Sequence, residues 1–120
     1  MSSQAKTSMA KRILSVALHP TLAETRSLLI RSLGSDVKTV YNLTELHQAC
    51  QGHNYDLLLI SQGISIKEKV RIAAEFRENC KSTPILEIFD ISPDLPDAEF
   101  KFHAAEGPEA LVSQLKTILK

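Results

Sequence analysis

Short apolar runs alternate along the chain with longer stretches in which apolar residues recur every three or four positions. The short runs predict five strands, at residues 12–18, 37–41, 56–60, 84–89 and 99–104. The longer stretches predict four helices, at residues 19–34, 42–52, 65–81 and 107–120. In the third predicted strand, residues 57–60 are all apolar, which is typical of a parallel strand covered on both faces.

Capping residues mark the ends of the predicted helices. Asn42 stands three residues before Glu45, and Ser65 stands three residues before Glu68, the spacing of a capping box. Gly34 ends the first predicted helix, a position where glycine is common. In the helix that Ser65 begins, four apolar residues are expected to face the core: Ile66, Val70, Ala73 and Ala74.

Strands that alternate with helices at this spacing indicate βαβ units and a parallel sheet. One connection does not fit the pattern, because only about nine residues separate the fourth and fifth strands, fewer than a helical crossover needs. Residues 90–98 contain two prolines and three acids. We therefore predict a loop there in place of a full helix.

Length and charge narrow the range of functions. The chain has 120 residues, which fits a polar, flexible tail at 1–10 and one domain at 11–120. Lysine and arginine together number 14, and so do aspartate and glutamate, so the formal net charge is zero. Nucleic-acid binding usually requires a basic excess, so we expect no nucleic-acid partner.

Hydropathy and cysteine usage indicate the compartment. No apolar run approaches the roughly 18 residues that a membrane span requires, and the N-terminal residues lack the apolar segment of a signal peptide. Cys50 and Cys80 lie in predicted helices without a CxxC spacing, and Cys50 fits a small core residue. We expect reduced thiols, a cytoplasmic location and no membrane association.

Four stretches of the sequence have the form of a known framework. They are KRILSVALHP and YDLLLISQGI around the first and third strands, TPILEIFD at the fourth strand, and GPEALVSQLKTIL at the last helix. In these stretches the chain resembles a bacterial response-regulator receiver domain. The resemblance implies an α/β, flavodoxin-like, three-layer fold with a five-stranded parallel sheet of order 2-1-3-4-5. The fourth helix of that fold would be missing or reduced.

The same resemblance places five positions of the chain at the phosphorylation site of the family. They are Ala17, Leu18, Ser61, Phe89 and His103. A typical receiver has two Mg²⁺-binding acids at the first two positions, the phosphoacceptor aspartate at the third, a hydroxyl residue at the fourth and lysine at the fifth. Alanine and leucine supply no oxygen ligand for Mg²⁺. The resemblance thus implies a degenerate receiver without metal, cofactor, catalytic residue or aspartyl phosphorylation.

Polar residues that follow different strands offer another interpretation of the same sheet edge. His19, Ser61, Asp90 and His103 include the residue types of a hydrolase triad or of a small ligand site. The sequence has no GxSxG elbow and no glycine-rich phosphate loop. The simpler interpretation is that His19 caps the first helix and Ser61 bonds to nearby backbone.

Charged residues interrupt the last two predicted strands. Glu87 lies between Ile85 and Phe89 on one face of the fourth strand, and Lys101 shares a face of the fifth strand with His103. With the fourth helix missing, we expect these five side chains to form one exposed mixed surface in which Glu87 and Lys101 are cross-strand neighbours. Such a surface would suit a protein partner or a second copy.

The sequence thus favours a stand-alone, receiver-like domain in signal transduction, of the kind found in two-component systems, that acts by protein contact without phosphorylation. One alternative is a phosphorelay adaptor that contacts a kinase or phosphotransfer protein. The other is a small hydrolase or ligand-binding protein that uses His19, Ser61, Asp90 and His103.

Overall fold

The computed structural model describes residues 10–120, and the predicted tail at 1–10 lies almost wholly outside this range. In chain order, the elements are β1 (Arg12–Val16), α1 (Pro20–Ser32), β2 (Asp36–Val40), α2 (Leu43–Cys50), β3 (Leu57–Ile60), α3 (Ile66–Asn79), β4 (Ile85–Phe89), β5 (Phe100–His103) and, after a 3₁₀ turn at Ala104–Glu106, α4 (Gly107–Ile118). The five strands form one parallel sheet in the order β2-β1-β3-β4-β5, which confirms the predicted topology.

Alternate residues of the strands supply two separate cores, one on each face of the sheet. The residues Leu14, Val16, Leu58 and Ile60 pack against Leu46 of α2 and against Ile72 and Phe76 of α3. On the opposite face, Ile13, Leu57 and Leu59 pack against Ile30 of α1 and against Leu111 and Leu115 of α4. Both faces of β3 are therefore covered, as its unbroken apolar run predicts.

The caps of the two middle helices confirm the sequence signals. The Asn42 side chain accepts a hydrogen bond from the Glu45 amide at 2.9 Å, and Ser65 Oγ accepts one from the Glu68 amide at 3.2 Å. His19 stands at the N-cap position of α1 but makes no side-chain capping bond, so that part of the simpler interpretation is wrong.

Between Phe89 and Phe100 the described chain forms no helix, as predicted. This segment, the β4–β5 loop (residues 90–99), instead places Leu95 and Ala98 in the core on the α2 and α3 side of the sheet. These two apolar side chains thus cover sheet surface that a helix would otherwise bury.

The two cysteines meet in the core, where α2 and α3 end. Cys50 is the last residue of α2, Cys80 follows α3, and both are buried free thiols in the same core cluster. Burial raises the pKa of the Cys50 thiol to about 11, and the neighbouring Cys80 and Glu75 add to the shift. Burial also raises the pKa of Cys80.

These shifts predict slow thiol chemistry in the folded protein. An unperturbed thiol has a pKa of about 8.5, so a rise to about 11 leaves on the order of a hundredfold less thiolate at pH 8. We expect Ellman's reagent at pH 8 to modify the native protein far more slowly than the urea-unfolded protein. Equal modification rates in the native and unfolded states would contradict the burial of the two thiols. Because the folded pKa lies above the unfolded one, this contribution to stability is complete below about pH 8.5 and declines as the pH rises toward 11.

Candidate functional site at the carboxyl edge of the sheet

The carboxyl ends of β1 and β3 lie side by side and bring two predicted site positions together. The Ala17 amide donates to the carbonyl of Val40, and the Ser61 amide donates to the carbonyl of Val16. Ala17 is fully buried and Leu18 is 41% exposed. Neither side chain carries an oxygen, so this edge has no carboxylate at the two positions where the resemblance implies Mg²⁺ ligands.

Ser61 is held by an arginine that the sequence did not single out. Arg26 of α1 donates from Nη1 to Ser61 Oγ and from Nη2 to Gln62 Oε1, each at 2.8 Å. Ser61 is fully buried, and Arg26 is only 7% exposed. The planar guanidinium therefore ties α1 to the turn after β3 with both arms of its fork. The prediction that Ser61 bonds to nearby backbone is therefore wrong, because its Oγ bonds to the Arg26 side chain.

The charge of Arg26 has no acidic partner within residues 10–120. The ion pairs of this part of the chain involve other cations, and no carboxylate lies within 4.0 Å of its guanidinium. Burial accordingly lowers the pKa of Arg26 from its ordinary value. A fixed positive charge thus lies beside the position where the resemblance implies a phosphoacceptor.

One feature of the sequence could have identified Arg26 as a functional residue. It lies on the same side of α1 as the apolar residues Ala23 and Ile30, at spacings of three and four, and these two are buried with it. A charged residue inside a buried helical stripe indicates a specific partner, since a buried charge without hydrogen bonds is costly. The partner lies 35 residues away, and local sequence patterns do not specify such a contact.

The residues of the possible hydrolase triad do not form one. Ser61 Oγ bonds to Arg26, which is always protonated and cannot act as a general base. His103 Nε2 bonds at 2.6 Å to the main-chain carbonyl of Asp90 and not to its carboxylate. The His19 ring lies against Gly63, two residues beyond Ser61. The described geometry therefore lacks the chain of nucleophile, base and acid that this chemistry requires.

The last two degenerate positions stack on each other. Phe89 and His103 are register partners on β4 and β5, and their rings lie 5.1 Å apart between centroids at an interplanar angle of 15°. Where the resemblance implies a hydroxyl and a lysine, this protein has an aromatic pair. The bond between His103 Nε2 and the main-chain carbonyl of Asp90 fixes the start of the β4–β5 loop.

The predicted exposed surface on β4 and β5 is wrong in its central members. Glu87 and Lys101 are cross-strand neighbours, as expected. Glu87 is nevertheless fully buried and Ile85 is 1% exposed, so neither is available to a partner. Phe89 and His103 are half-buried, and Lys101 is exposed, with its Nζ bonded to the Ala98 carbonyl at 3.1 Å. The β4–β5 loop folds over this face, and for this reason the surface is closed.

Glu87 is the anchor of that loop. Its Oε2 accepts from Lys69 Nζ at 2.7 Å and from the Asp94 amide at 2.8 Å, and its Oε1 accepts from the Leu95 amide at 2.9 Å. Lys69 Nζ also reaches the Asp94 carboxylate at 3.2 Å. Lys69, only 2% exposed, comes from the buried face of α3. A buried carboxylate can persist here because it is both paired and hydrogen-bonded.

The inward face of α3 is therefore not the predicted one. Lys69, Ile72 and Phe76 are buried, whereas Ile66 is 56% exposed and Val70 is 52% exposed. Ala74 is also exposed, and Ala73 is half-buried. Of the predicted stripe, Ile66, Val70 and Ala74 are exposed, and Ala73 alone packs partly against the core. Val70, Ala73 and Ala74 lie beside the β4–β5 loop.

Two cavities lie along the β4–β5 loop and share Asp94. The first, of about 360 Å³, is a groove between α3 and the loop, lined mainly by the apolar residues Val70, Ala73, Ala74, Leu95 and Pro96 and also by the charged residues Arg77, Asp94 and Asp97. The second, also about 360 Å³, lies at the sheet edge and is bounded by Lys69, Asp90, Ile91 and Asp94 with the Gly63–Ile64 turn. We call the two together the α3–loop trough.

Two kinds of site are not found in residues 10–120. None of the helices there combines the length and apolar character needed to cross a membrane. The same part of the chain contains no group of three or more histidine, cysteine or acidic side chains placed to hold a metal ion.

Comparison with known proteins finds similarity at the level of structure. No family model and no curated protein matches the sequence. Among solved structures, the chemotaxis response regulator CheY4 of Vibrio cholerae is similar, with a TM-score of 0.77, 19% identity, and coverage of 91% of this chain and 98% of the other. A CheY-like receiver domain from Methanospirillum hungatei JF-1 gives a TM-score of 0.77 at 13% identity, covering 92% and 94%.

A third similar chain comes from the structure of histidine kinase ThkA in complex with response regulator protein TrrA. It gives a TM-score of 0.75 at 23% identity, covering 92% of this chain and 99% of the other. These TM-scores establish a common fold, and at identities this low the similarity shows the fold alone. The protein therefore has the CheY-like receiver fold, as its sequence framework indicates.

Proposed function

We propose that this protein is a receiver-like signalling module that acts through protein contacts without aspartyl phosphorylation. The observation that carries the proposal is the bond between Arg26 and Ser61 at the position of the phosphoacceptor. A serine hydroxyl needs a base or a metal to become a nucleophile, and Arg26 can be neither. Phosphoryl transfer also requires a metal to offset clustered negative charge, and Ala17 and Leu18 offer no oxygen ligand.

Incubation with acetyl phosphate and Mg²⁺ tests the proposal. We expect the intact mass of the protein to remain unchanged, because the edge of the sheet lacks both the acceptor carboxylate and the metal ligands. A receiver domain with an intact phosphoacceptor aspartate serves as the positive control in the same buffer. A gain of one phosphoryl group would overturn the proposal, and fragment masses would then assign it to Ser61, Asp90 or a histidine.

A second candidate function is that of a phosphorelay adaptor. It is favoured by the similar chain in the structure of a histidine kinase with its response regulator. Under this hypothesis the protein contacts a kinase or a phosphotransfer protein and accepts no phosphate. A stable complex with a purified kinase of its own organism, seen by light scattering, would support it, and unchanged masses of the mixed components would speak against it.

We further infer a cytoplasmic, non-catalytic role. Free thiols at Cys50 and Cys80 are typical of reducing compartments. Ser61 Oγ receives a hydrogen bond from Arg26 and has no base beside it. Turnover of a generic ester that disappears in Ser61→Ala would contradict the non-catalytic assignment.

A further inference from the structure

The α3–loop trough combines an apolar floor with exposed aliphatic side chains along its length. Val70 lines the groove and Ile91 lines the cavity at the sheet edge, and they are 52% and 93% exposed. Ile66, one helical turn before Val70, is 56% exposed. Ile66, Val70 and Ala74 recur every fourth residue, so they form one stripe along the helix. Single exposed apolar residues are ordinary, but a stripe that borders an apolar groove marks a surface built to be covered.

The wall of the trough opposite α3 is acidic. Residues 87–99 contain five acids and no lysine or arginine. Glu87 and Glu99 are used in ion pairs, and the Asp94 side chain is paired with Lys69 yet 30% exposed. The carboxylates of Asp90 and Asp97 belong to exposed residues and form no ion pair within 4.0 Å in the described chain. Arg77 Nη2 donates to the main-chain carbonyl of Asp97 at 3.0 Å, and His103 bonds to that of Asp90, so both carboxylates remain free to pair with a ligand. Positive charge on a ligand would therefore be favoured along this wall.

The arrangement of the two cavities indicates what kind of ligand fits the trough. The apolar groove lies beside Val70 and Ala74, and the cavity at the sheet edge, which Asp90 helps to line, shares Asp94 with it. A helical segment suits a groove between a helix and a loop, because it can place apolar residues in the groove and project charged ones from its edge.

We propose that the α3–loop trough binds a basic amphipathic helix from a protein partner. This inference rests on the proposed function and names the chemistry of the partner. Apolar side chains of that helix fill the groove beside Val70 and Ala74, and its lysine or arginine side chains face Asp90 and Asp97. A second copy of this chain is a poorer occupant, since a two-fold contact would bring the same acidic segment against itself.

Two designed peptides serve as probes. Each has 14 residues, the length of α3, with leucine and alanine on one face, and they differ only in carrying lysine or glutamate on the other. Fluorescence anisotropy measures the binding of each labelled peptide to the full chain. We expect the basic peptide to bind at least about tenfold more tightly than the acidic one, a difference of about 1.4 kcal/mol. The preference should shrink in higher salt, since screening weakens contacts between exposed charges.

Matched substitutions locate the contact on the protein. Val70→Asn removes an exposed aliphatic side chain from the trough, and Leu28→Asn removes a 64% exposed one from α1, outside it. The first should weaken binding of the basic peptide about fivefold or more, and the second should leave it within about twofold. The double variant Asp90→Asn/Asp97→Asn should reduce both the affinity and its dependence on salt. All four side chains are exposed, so the fold should persist, and circular dichroism checks this.

Three outcomes would overturn the proposal. The first is equal binding of the two peptides, or no binding of either. The second is equal weakening by Val70→Asn and Leu28→Asn. The third is a mass that rises with protein concentration and falls in Val70→Asn, which would assign the trough to a second copy. None of these depends on the acetyl phosphate result, so the trough proposal and the proposed function can fail separately.

Discussion

Replacing Glu87 with glutamine should lower the free energy of unfolding by about 3–5 kcal/mol, the usual cost of removing one member of a buried ion pair. Lys69 Nζ would then remain buried with only the partly exposed Asp94 as its counter-ion. The glutamine side chain would also have only one acceptor oxygen. Its NH2 group would face Lys69 Nζ or the main-chain amides of Asp94 and Leu95, which are all hydrogen-bond donors.

Urea denaturation of the wild type and of Glu87→Gln measures this loss. Glu24→Gln, an exposed change on α1, is the matched control and should stay within about 0.5 kcal/mol of the wild type. A Glu87→Gln protein as stable as its control would show that the buried pair contributes nothing net. The double variant Lys69→Met/Glu87→Leu separates the two roles of Glu87. It should regain much of the stability, since apolar pairs can replace buried ion pairs, while the amides of Asp94 and Leu95 exchange hydrogen faster than in the wild type.

The second large effect is expected at Arg26. Arg26→Met should destabilise the protein by about 1.5–3 kcal/mol, because Ser61 Oγ loses a hydrogen bond from a charged donor while remaining fully buried. Ser61→Ala alone should also destabilise it, since it removes one acceptor from a buried guanidinium. The double variant should cost clearly less than the sum of the two single changes.

A double-mutant cycle from urea unfolding curves gives the coupling energy of this pair. Residues joined in one hydrogen-bond network usually couple by about 0.5–3 kcal/mol, and we expect a value in that range. Thr25→Ala in place of Arg26→Met is the control, because Thr25 is exposed and bonds only within α1. Strict additivity of Arg26→Met and Ser61→Ala would mean that the bond does not hold α1 to the edge of the sheet.

The strands and their parallel arrangement followed from local periodicity and from the alternation of strands with helices, whereas their order followed from the resemblance to the receiver framework. The apolar run of β3 and the short segment between β4 and β5 were enough to predict a parallel sheet that lacks one helix. The side-chain contacts could not be predicted in this way, because they join residues that are distant in the sequence. Glu87 was correctly identified as anomalous within an apolar strand, but its partner Lys69 lies 18 residues earlier on another element.

The face of α3 was misassigned for a related reason. The aliphatic residues Ile66 and Val70 fit a buried stripe by hydropathy alone. The helix instead turns Lys69 inward, because the carboxylate of Glu87 is there to receive it. Ile72 and Phe76 face the core beside Lys69, so the pattern held a signal for this face, and only the inward lysine depends on an ion pair that hydropathy does not encode.

Glu87 holds the β4–β5 loop through main-chain amides at positions 94 and 95, and this has a consequence for how the surface can evolve. A main-chain amide is present in every residue except proline. Side chains at the exposed positions of the loop, such as Ile91 and Asp97, can therefore be exchanged by mutation while the path of the loop is kept. One invariant acid inside the sheet would allow related proteins to present different loop surfaces, and so to recognise different partners, on the same framework.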